Sequence, residues 1–148
     1  MKVLTTGSRN WEGVWGEFRI QMVLNRLEAL CFALESPLRL MNGACPTGAD
    51  AAVKRWADRR LVPCEEFPAD WLKYGKRAGP MRNEYMVTQG ADLCVAFLRG
   101  ISRGAQGTID LAQAAKIPTF VIPWIPSAEE LDDLPFVARE GSPLLNDD

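Results

Sequence analysis

Short apolar runs alternate with stretches of helical periodicity along most of this chain. Runs rich in apolar and β-branched residues predict strands over residues 2–6, 38–41, 62–67, 91–98 and 117–122. Apolar residues recurring at every third or fourth position predict helices over residues 14–34, 50–60, 81–89 and 108–116. Strands that alternate with helices usually pair in parallel. The pattern therefore predicts an α/β fold, a single Rossmann-like three-layer domain with a mostly parallel sheet of about five strands.

The chain after the fifth predicted strand has a different character. It contains several prolines and turn pairs and ends in the acidic sequence Asn146-Asp147-Asp148. We therefore predict a nucleotide-binding domain over residues 1–126 and an acidic, partly ordered C-terminal tail over residues 127–148. Within that tail we expect one short helix around Glu129.

Composition and charge fit one ordinary globular domain. Of the 148 residues, 47% are hydrophobic and 24% are charged, as in typical globular proteins. A net charge of −2 gives no general electrostatic attraction to nucleic acid or to an anionic membrane. No apolar run approaches the roughly 20 residues that span a bilayer, and the N-terminus lacks the long apolar segment of a signal peptide. We therefore expect a cytoplasmic protein with no membrane partner.

The residue types present restrict the possible chemistry. The sequence has no histidine, which excludes mechanisms that need an imidazole base. Its cysteines form no C-x-x-C pair, which argues against a zinc ribbon or a disulfide scaffold. We predict no metal and no cofactor, so any chemistry depends on carboxylates, arginines, backbone amides or Cys45. Without a histidine partner, Cys45 is interpreted as a small loop residue.

Glycine-rich loops follow the first, second and fourth predicted strands. In an open parallel sheet these loops meet at one edge, where ligands bind. Glycines let the backbone approach an anion, and helix starts offer amide donors to it. Residues 43–50 are alternatively a tight turn in which Asp50 and Thr47 cap the next helix. Residues 99–108 are alternatively a flexible surface loop, although their two arginines and two hydroxyl groups favour phosphate.

Several polar and aromatic residues near these loops are further candidates. Arg9 ends the first strand and either binds an anion or is a solvated surface charge. Arg82 and Asn83 follow Gly79 at a predicted helix start and suit a phosphate or a ribose. Trp71 either stacks on a base or packs its own loop down.

Five of these segments, taken in order, resemble a known family. They are Gly7-Ser8-Arg9 with Trp11; Gly43 through Asp50; Phe67-Pro68-Ala69-Asp70-Trp71 with Tyr74-Gly75-Lys76; Ala78-Gly79-Pro80-x-Arg82-Asn83-x-x-Met86; and Ala96-Phe97 with Ser102-Arg103-Gly104. Together they are similar to the YspA-like branch of the SLOG superfamily. That superfamily comprises Rossmann-like domains related to the LOG phosphoribohydrolases, which release cytokinins, and to the DNA-processing protein DprA. The resemblance covers roughly residues 1–122.

The resemblance implies a pocket for a nucleotide or a nucleotide-derived ligand such as an ADP-ribose-like molecule. Our first hypothesis is a bacterial or phage protein that senses or sequesters such a ligand. Arginines would contact phosphate, loop amides would surround it, and Asn83 and Asp50 would orient the sugar. The predicted ligand-binding residues are Gly7, Ser8, Arg9, Gly43, Ala44, Gly48, Asp50, Trp71, Gly79, Arg82, Asn83, Ser102, Arg103, Gly104 and Thr108.

Two alternatives stay open at this point. In a LOG-like nucleoside-monophosphate phosphoribohydrolase, Arg82 would hold the phosphate and Asp110 or Asp50 would stabilise the positive charge that develops on the ribose. Leu111 occupies the position of the LOG catalytic glutamate, however, which favours binding over turnover. A DprA-like partner of single-stranded DNA ranks last because the chain lacks a basic stripe. The related enzymes pair, so a homodimer is a further expectation.

Overall fold

Five strands pair in parallel and confirm the predicted α/β architecture. The computed structural model describes residues 1–132. The strands lie in the order β3-β2-β1-β4-β5 in one sheet, and every neighbouring pair is parallel. Their bounds are β1 (Lys2–Gly7), β2 (Arg39–Asn42), β3 (Cys64–Glu66), β4 (Leu93–Leu98) and β5 (Thr119–Pro123).

Helices cover both faces of this sheet. They are α1 (Gly13–Ala33), α2 (Gly48–Arg60), α3 (Trp71–Tyr74), α4 (Ala78–Thr88), α5 (Arg103–Ala114) and α6 (Ala128–Asp132), with a 3₁₀ turn at Gly75–Arg77. Among the described residues, no helix combines the length and apolar character needed to cross a membrane.

The core consists of two apolar clusters, one on each face of the sheet. Val3 packs with buried residues of α1 and α2, including Ile20 and Trp56. The next residue along β1, Leu4, packs instead with buried residues of α4 and α5, including Met86 and Ala112. This alternation follows from the period of two in a β-strand. Three layers result, as predicted from the sequence.

The strand order reverses between β1 and β4, where Ser8 joins three elements. The Ser8 amide donates to the Phe97 carbonyl oxygen at 2.9 Å, and Ser8 Oγ accepts from the Arg99 amide at 2.9 Å. The Ser8 carbonyl accepts from the Ala49 amide at 3.1 Å. Ser8 therefore ties the ends of β1 and β4 to the first turn of α2, and this fixes the carboxyl edge of the sheet.

Several predicted element bounds were wrong, and α5 shows the largest difference. The sequence predicted that this helix begins at Thr108, whereas it begins at Arg103. Ser102 caps it, since Ser102 Oγ accepts from the Ala105 amide at 3.4 Å. Buried residues Ala105, Thr108, Ile109 and Ala112 follow helical spacing through the glycines. Their burial outweighs the weak helix propensity of Gly104 and Gly107.

The start of α2 also differs from the prediction. The helix begins at Gly48, two residues before the predicted start. Thr47 occupies the cap position, but its hydroxyl makes no capping hydrogen bond. The Asp50 carboxylate binds the Cys45 amide rather than that of Thr47. The predicted Thr47–Asp50 capping box is therefore wrong, because Asp50 stabilises the preceding loop instead.

The predicted short helix near Glu129 is present as α6. The carboxylate of Glu130 accepts from Arg99 Nη2 at 3.0 Å and from Trp124 Nε1 at 3.3 Å. The Arg99 guanidinium also lies 4.0 Å from the Trp124 ring centroid. These contacts attach α6 to the end of β4. The rest of the predicted acidic tail, residues 133–148, lies outside the described residues.

Two glycine substitutions test how closely α2 approaches the end of β1. A Cβ on Gly48 would lie 2.5 Å from the Arg9 Cα, and Gly48 has a φ of +68°. We expect Gly48→Ala to lower the free energy of unfolding by about 2–4 kcal/mol in urea denaturation. In Gly107→Ala the new methyl group would meet no atom within 4 Å. We expect this matched control to raise stability by about 0.5–1 kcal/mol. Equal effects of the two substitutions would contradict this account of α2 packing.

Candidate functional site

A groove of about 600 Å³ lies at the carboxyl edge of the sheet. The loops that follow β1, β2 and β3 form it together with α3 and α4, as expected for a ligand site in an open parallel sheet. Its lining residues are Arg9, Gly43, Ala44, Cys45, Pro46, Thr47, Pro68, Ala69, Trp71 and Arg82. This set is called the first groove.

The half-buried guanidinium of Arg82 forms one wall of the first groove. Its Nη1 donates to the Gly43 carbonyl oxygen and, at 3.1 Å, to that of Phe67. Its Nε donates to Asn83 Oδ1 at 2.7 Å. Burial lowers the pKa of the Arg82 guanidinium. These three contacts fix the plane of the guanidinium, and Nη2 has no partner within residues 1–132.

Gly43 is required where the loop passes this guanidinium. A Cβ at Gly43 would lie 2.7 Å from Arg82 Nη1 and 2.8 Å from Cζ. Arg82 could not hold its place beside a larger residue without moving. Gly43 was predicted to approach a ligand, and the structure shows that it makes room for the arginine.

The loop between β2 and α2 is held by two polar side chains beneath it. Asn42 Oδ1 accepts from the Ala44 amide at 2.9 Å, and its Nδ2 donates to the Asp50 carbonyl at 3.1 Å. Asp50 Oδ2 accepts from the Cys45 amide at 3.2 Å. The amides of Ala44 and Cys45 are therefore already bonded. Arginine side chains, rather than these two amides, supply the positive charge of the first groove.

Asp50 is only 8% exposed, and one of its oxygens is unpaired. Oδ1 has no hydrogen-bond partner in the part of the chain that the structure describes. Desolvation raises the pKa of Asp50 to about 6, against the opposing effects of the Cys45 amide, the charge of Arg82 and the nearby Gly43 amide. A buried carboxylate with an unpaired oxygen is costly. Asp50 therefore carries a charge that the protein accommodates only partly near neutral pH.

Trp71 packs at the start of α4 and also lines the first groove. A Cβ on Gly79 would lie 3.0 Å from the Trp71 ring, so this glycine lets the indole approach the helix. Asp70 caps the short helix α3 by accepting from the Lys73 amide at 3.1 Å. The Trp71 side chain remains 49% exposed. It therefore packs the loop and still presents a surface on which a base could stack.

Ser102, Arg103 and Asp110 line a second groove, of about 420 Å³, along the outer side of α5. Its other lining residues are Leu98, Gly100, Ile101, Gln106 and Gly107. Asp110 Oδ1 accepts from Gln106 Nε2 at 2.8 Å. The sequence predicted one ligand site formed by all of these loops, whereas the structure has two separate grooves. Asn83 connects their walls, since its Nδ2 donates to the Gly104 carbonyl at 3.4 Å.

Comparison with known proteins identifies the family. Residues 1–74 match the family model described as YspA, cpYpsA-related SLOG family. The chain is also 38% identical over 128 residues to the Gene 61 protein of Mycobacterium phage D29, a match that covers 79% of this chain and 92% of that protein. The chain belongs to the YspA, cpYpsA-related SLOG family. This SLOG membership indicates nucleotide-related ligand binding or processing.

The segment matched by the SLOG family model contains most of the first groove. Residues 1–74 include Arg9, the loop from Gly43 to Thr47, and Trp71. Arg82 lies beyond the matched segment, but its hydrogen bonds reach back to Gly43 and Phe67 within it. Of the two grooves, the first therefore lies mostly in the segment that the family model matches.

The remaining predicted site residues are largely buried and support the two grooves. Thr108 is 1% exposed, and its hydroxyl donates to the Gly104 carbonyl at 3.4 Å. Gly7 lies where a Cβ would come within 2.6 Å of the Phe97 carbonyl oxygen. With Ser8, Gly48, Gly79 and Asn83, these residues position the groove walls from below.

Sequence reasoning missed Asn42. Asn42 is fully buried at the end of β2, where its amide organises the loop. A polar residue ending a buried strand, just before a glycine, was the signal for it. Cys45 lines the first groove beside Arg82. Within the described residues no group of three or more histidine, cysteine, aspartate or glutamate side chains could hold a metal ion.

The buried carboxyl group predicts a specific pH dependence of stability. Because the pKa of Asp50 is raised to about 6, the folded state binds more protons than the unfolded state between roughly pH 4 and pH 6, and stability falls as pH rises through this interval. We expect Asp50→Asn to remove this loss. Relative to the wild type, the variant should gain about 2–3 kcal/mol in unfolding free energy from pH 4 to pH 7.

The measurement is urea denaturation of both proteins at several pH values. Asp110→Asn is the matched control because Asp110 is an exposed aspartate, and its difference from the wild type should stay constant. A constant difference between the wild type and Asp50→Asn would show that Asp50 titrates normally.

Proposed function

We propose that the first groove binds a nucleotide or nucleotide-derived ligand, and that the protein senses or sequesters this ligand in the cytoplasm. The observation that carries the proposal is that two arginines, Arg9 and Arg82, and an exposed aromatic face, Trp71, line one groove of about 600 Å³. That volume lies within the usual range for small-molecule sites. SLOG membership supports the same class of ligand.

The phosphate would bind between Arg9 and Arg82. Arg9 is exposed and makes no hydrogen bond or ion pair within residues 1–132, so its guanidinium can turn toward a ligand. Arg82 is already oriented by Asn83 and by two carbonyl oxygens, and its Nη2 retains its donors. A preorganised guanidinium suits phosphate because it can donate two parallel hydrogen bonds.

The base would stack on Trp71, and the sugar would lie between base and phosphate. The half-exposed indole is held against Gly79, so stacking needs little reordering of the ring. Pro68 and Ala69 provide a small apolar surface beside it. Asn83 and Asp50 would act from beneath the groove, by fixing Arg82 and the loop after β2.

The environment of Leu111 favours binding over hydrolysis. In this position, where the resemblance to LOG enzymes calls for a glutamate, the Leu111 side chain packs against the core cluster that contains Met41 and Met86. The neighbouring carboxylate, Asp110, lies in the second groove and binds Gln106. Neither position supplies a carboxylate to the first groove.

One observation supports phosphoribohydrolase activity as a second candidate. Asp50 is a buried carboxyl group with a pKa of about 6, and the charge of Arg82 acts on it. Such a group could stabilise positive charge on a ribose while Arg82 holds the phosphate. Water would then add to the ribose as its bond to the base breaks, and the departing base would take up the proton.

A nucleotide panel distinguishes binding from hydrolysis. The purified protein is incubated with AMP, ADP-ribose, NAD, cyclic ADP-ribose and a cytokinin monophosphate, and thermal shift and product chromatography are read on the same samples. A ligand at 100 times its dissociation constant stabilises the folded state by about 2.7 kcal/mol. We expect stabilisation without products. Release of base and ribose phosphate would establish the hydrolase, and no response to any nucleotide would overturn the proposed function.

Substituting one exposed arginine in each groove, Arg9 or Arg103, tests which groove holds the ligand. Loss of a charge-assisted hydrogen bond costs about 1.5–3 kcal/mol, so we expect Arg9→Ala to weaken binding roughly 10- to 100-fold without changing stability. Arg103→Ala, in the second groove, is the matched control and should bind normally. Weaker binding by Arg103→Ala with normal binding by Arg9→Ala would place the ligand in the second groove. Arg82→Ala is less suitable because it also leaves the Gly43 and Phe67 carbonyls without a donor.

A further inference from the structure

The positive charge of Arg82 interacts with two negative groups. It acts on the buried carboxylate of Asp50, and in the proposed function it also holds the ligand phosphate. No ion pair joins Asp50 and Arg82 among the described residues, and Asp50 Oδ1 has no partner there. The two side chains therefore interact through their charges and not through a direct hydrogen bond. A ligand anion would compete with Asp50 for the same positive charge.

The other groups around Asp50 do not compensate for this competition. Glu66, on β3, adds negative charge that disfavours the Asp50 carboxylate, and the Cys45 amide donates to Oδ2 from the loop after β2. Cys64, also on β3, has a raised pKa of about 11, so it stays a neutral thiol near pH 7. Arg9 lies across the groove and acts on Arg82. Arg82 is thus the cation whose charge acts on Asp50 and that a ligand would share.

A bound phosphate would change the balance at Asp50 in one direction. It would bring negative charge to the far side of Arg82 and exclude water from the groove, and both effects disfavour a second negative charge beneath the loop. Protonation of Asp50 would remove the repulsion and leave the full charge of Arg82 to the ligand. The cost of an unpaired carboxylate oxygen would also fall.

We propose that binding of an anionic nucleotide in the first groove is coupled to uptake of a proton by Asp50, whose buried carboxylate has an unpartnered oxygen beneath the loop that lines the groove, so that ligand affinity falls as the pH rises. This inference rests on the proposed function and adds a regulatory property to the same site. By linkage, the ligand-bound state holds Asp50 protonated to higher pH than the unliganded state does. The site would release its ligand as the surroundings become more alkaline.

The size of the effect follows from how far the ligand moves the titration of Asp50. If the bound anion raises the pKa from about 6 to about 7, affinity falls about tenfold in total, mostly between roughly pH 5 and pH 8. Protons taken up per ligand would be close to zero at pH 5 and would be greatest between the two pKa values.

ADP-ribose is the appropriate probe for this coupling. Its diphosphate is esterified at both ends, so its charge stays constant between pH 5.5 and about 8, unlike the terminal phosphate of a monophosphate, whose second pKa is about 6. Calorimetric titrations at several pH values, each in two buffers of different ionisation enthalpy, give both the affinity and the number of protons taken up. We expect wild-type affinity to fall about tenfold with rising pH and proton uptake to be positive near pH 6.5.

Asp50→Asn and Asp58→Asn form a matched pair of variants. Both exchange a carboxylate for an amide on α2, but Asp58 is exposed and pairs with Lys54. We expect Asp58→Asn to keep the pH dependence and Asp50→Asn to lose both the pH dependence and the proton uptake. Wild-type affinity that is independent of pH, or an equal pH dependence in Asp50→Asn, would overturn the inference.

A second measurement does not depend on the folding of Asp50→Asn. The carboxyl carbon resonance of Asp50 in the wild type, followed by NMR as a function of pH, should titrate at higher pH when ADP-ribose is bound. An unchanged titration would overturn the inference and leave the proposed function intact. Absence of ADP-ribose binding at every pH would overturn it too, and the proposed function fails with it only if no other nucleotide of the panel binds.

Discussion

The hydrogen bonds of Ser8 hold together the edge of the sheet on which the first groove depends. Through its amide, carbonyl and hydroxyl groups this residue joins the end of β1 to the end of β4 and to the first turn of α2. The close approach requires Gly48 at the start of α2. A larger residue there would separate α2 from β1. The loops on either side of that contact would then lose the relative position that brings Arg9 toward Arg82.

The polar groups around the groove are arranged mainly to support one guanidinium. Arg82 bonds to two backbone carbonyls and to Asn83, and Asn83 in turn bonds to α5. This network places a fixed cation in a partly buried position at the cost of its hydration. Asp50 is the counterpart of that arrangement, since its carboxylate is buried with one unpaired oxygen. The oriented guanidinium of Arg82 would attract an anion in the groove, whereas the buried Asp50 carboxylate competes for the same positive charge.

The fold was predictable from the sequence because its central strands, β1, β2 and β4, are largely buried. β4 is nearly continuously apolar, and runs of that kind alternating with helices permit few topologies. The start of α5 was mispredicted because Gly104 and Gly107 have loop propensity, whereas tertiary burial of Ala105 and Thr108 decides the outcome. Local sequence carries propensity but not the packing partners that override it.

The site was predictable in its residue types but not in its division into two grooves. Arg9, Trp71 and Arg82 were found because each follows a strand or begins a helix at the carboxyl edge. Which of them meet depends on the side of each helix that faces the neighbouring loop, and this is set by packing. For that reason Ser102 and Arg103 were grouped with the first groove, although they line the second. Asn42 was missed because its side chain bonds to the loop after β2 and to the first turn of α2, whose conformations the sequence did not reveal.

The position of Trp71 has an optical consequence. Of the five tryptophans in the chain, Trp11 and Trp56 are buried in the core on the α1 and α2 face, and Trp124 packs against Trp11. The Trp15 indole donates to the Ile125 carbonyl. None of these four lines the first groove, whereas Trp71 does. A molecule that settles on this indole would alter the emission of one fluorophore over a nearly constant background, which would make Trp71 a fluorescent reporter of groove occupancy.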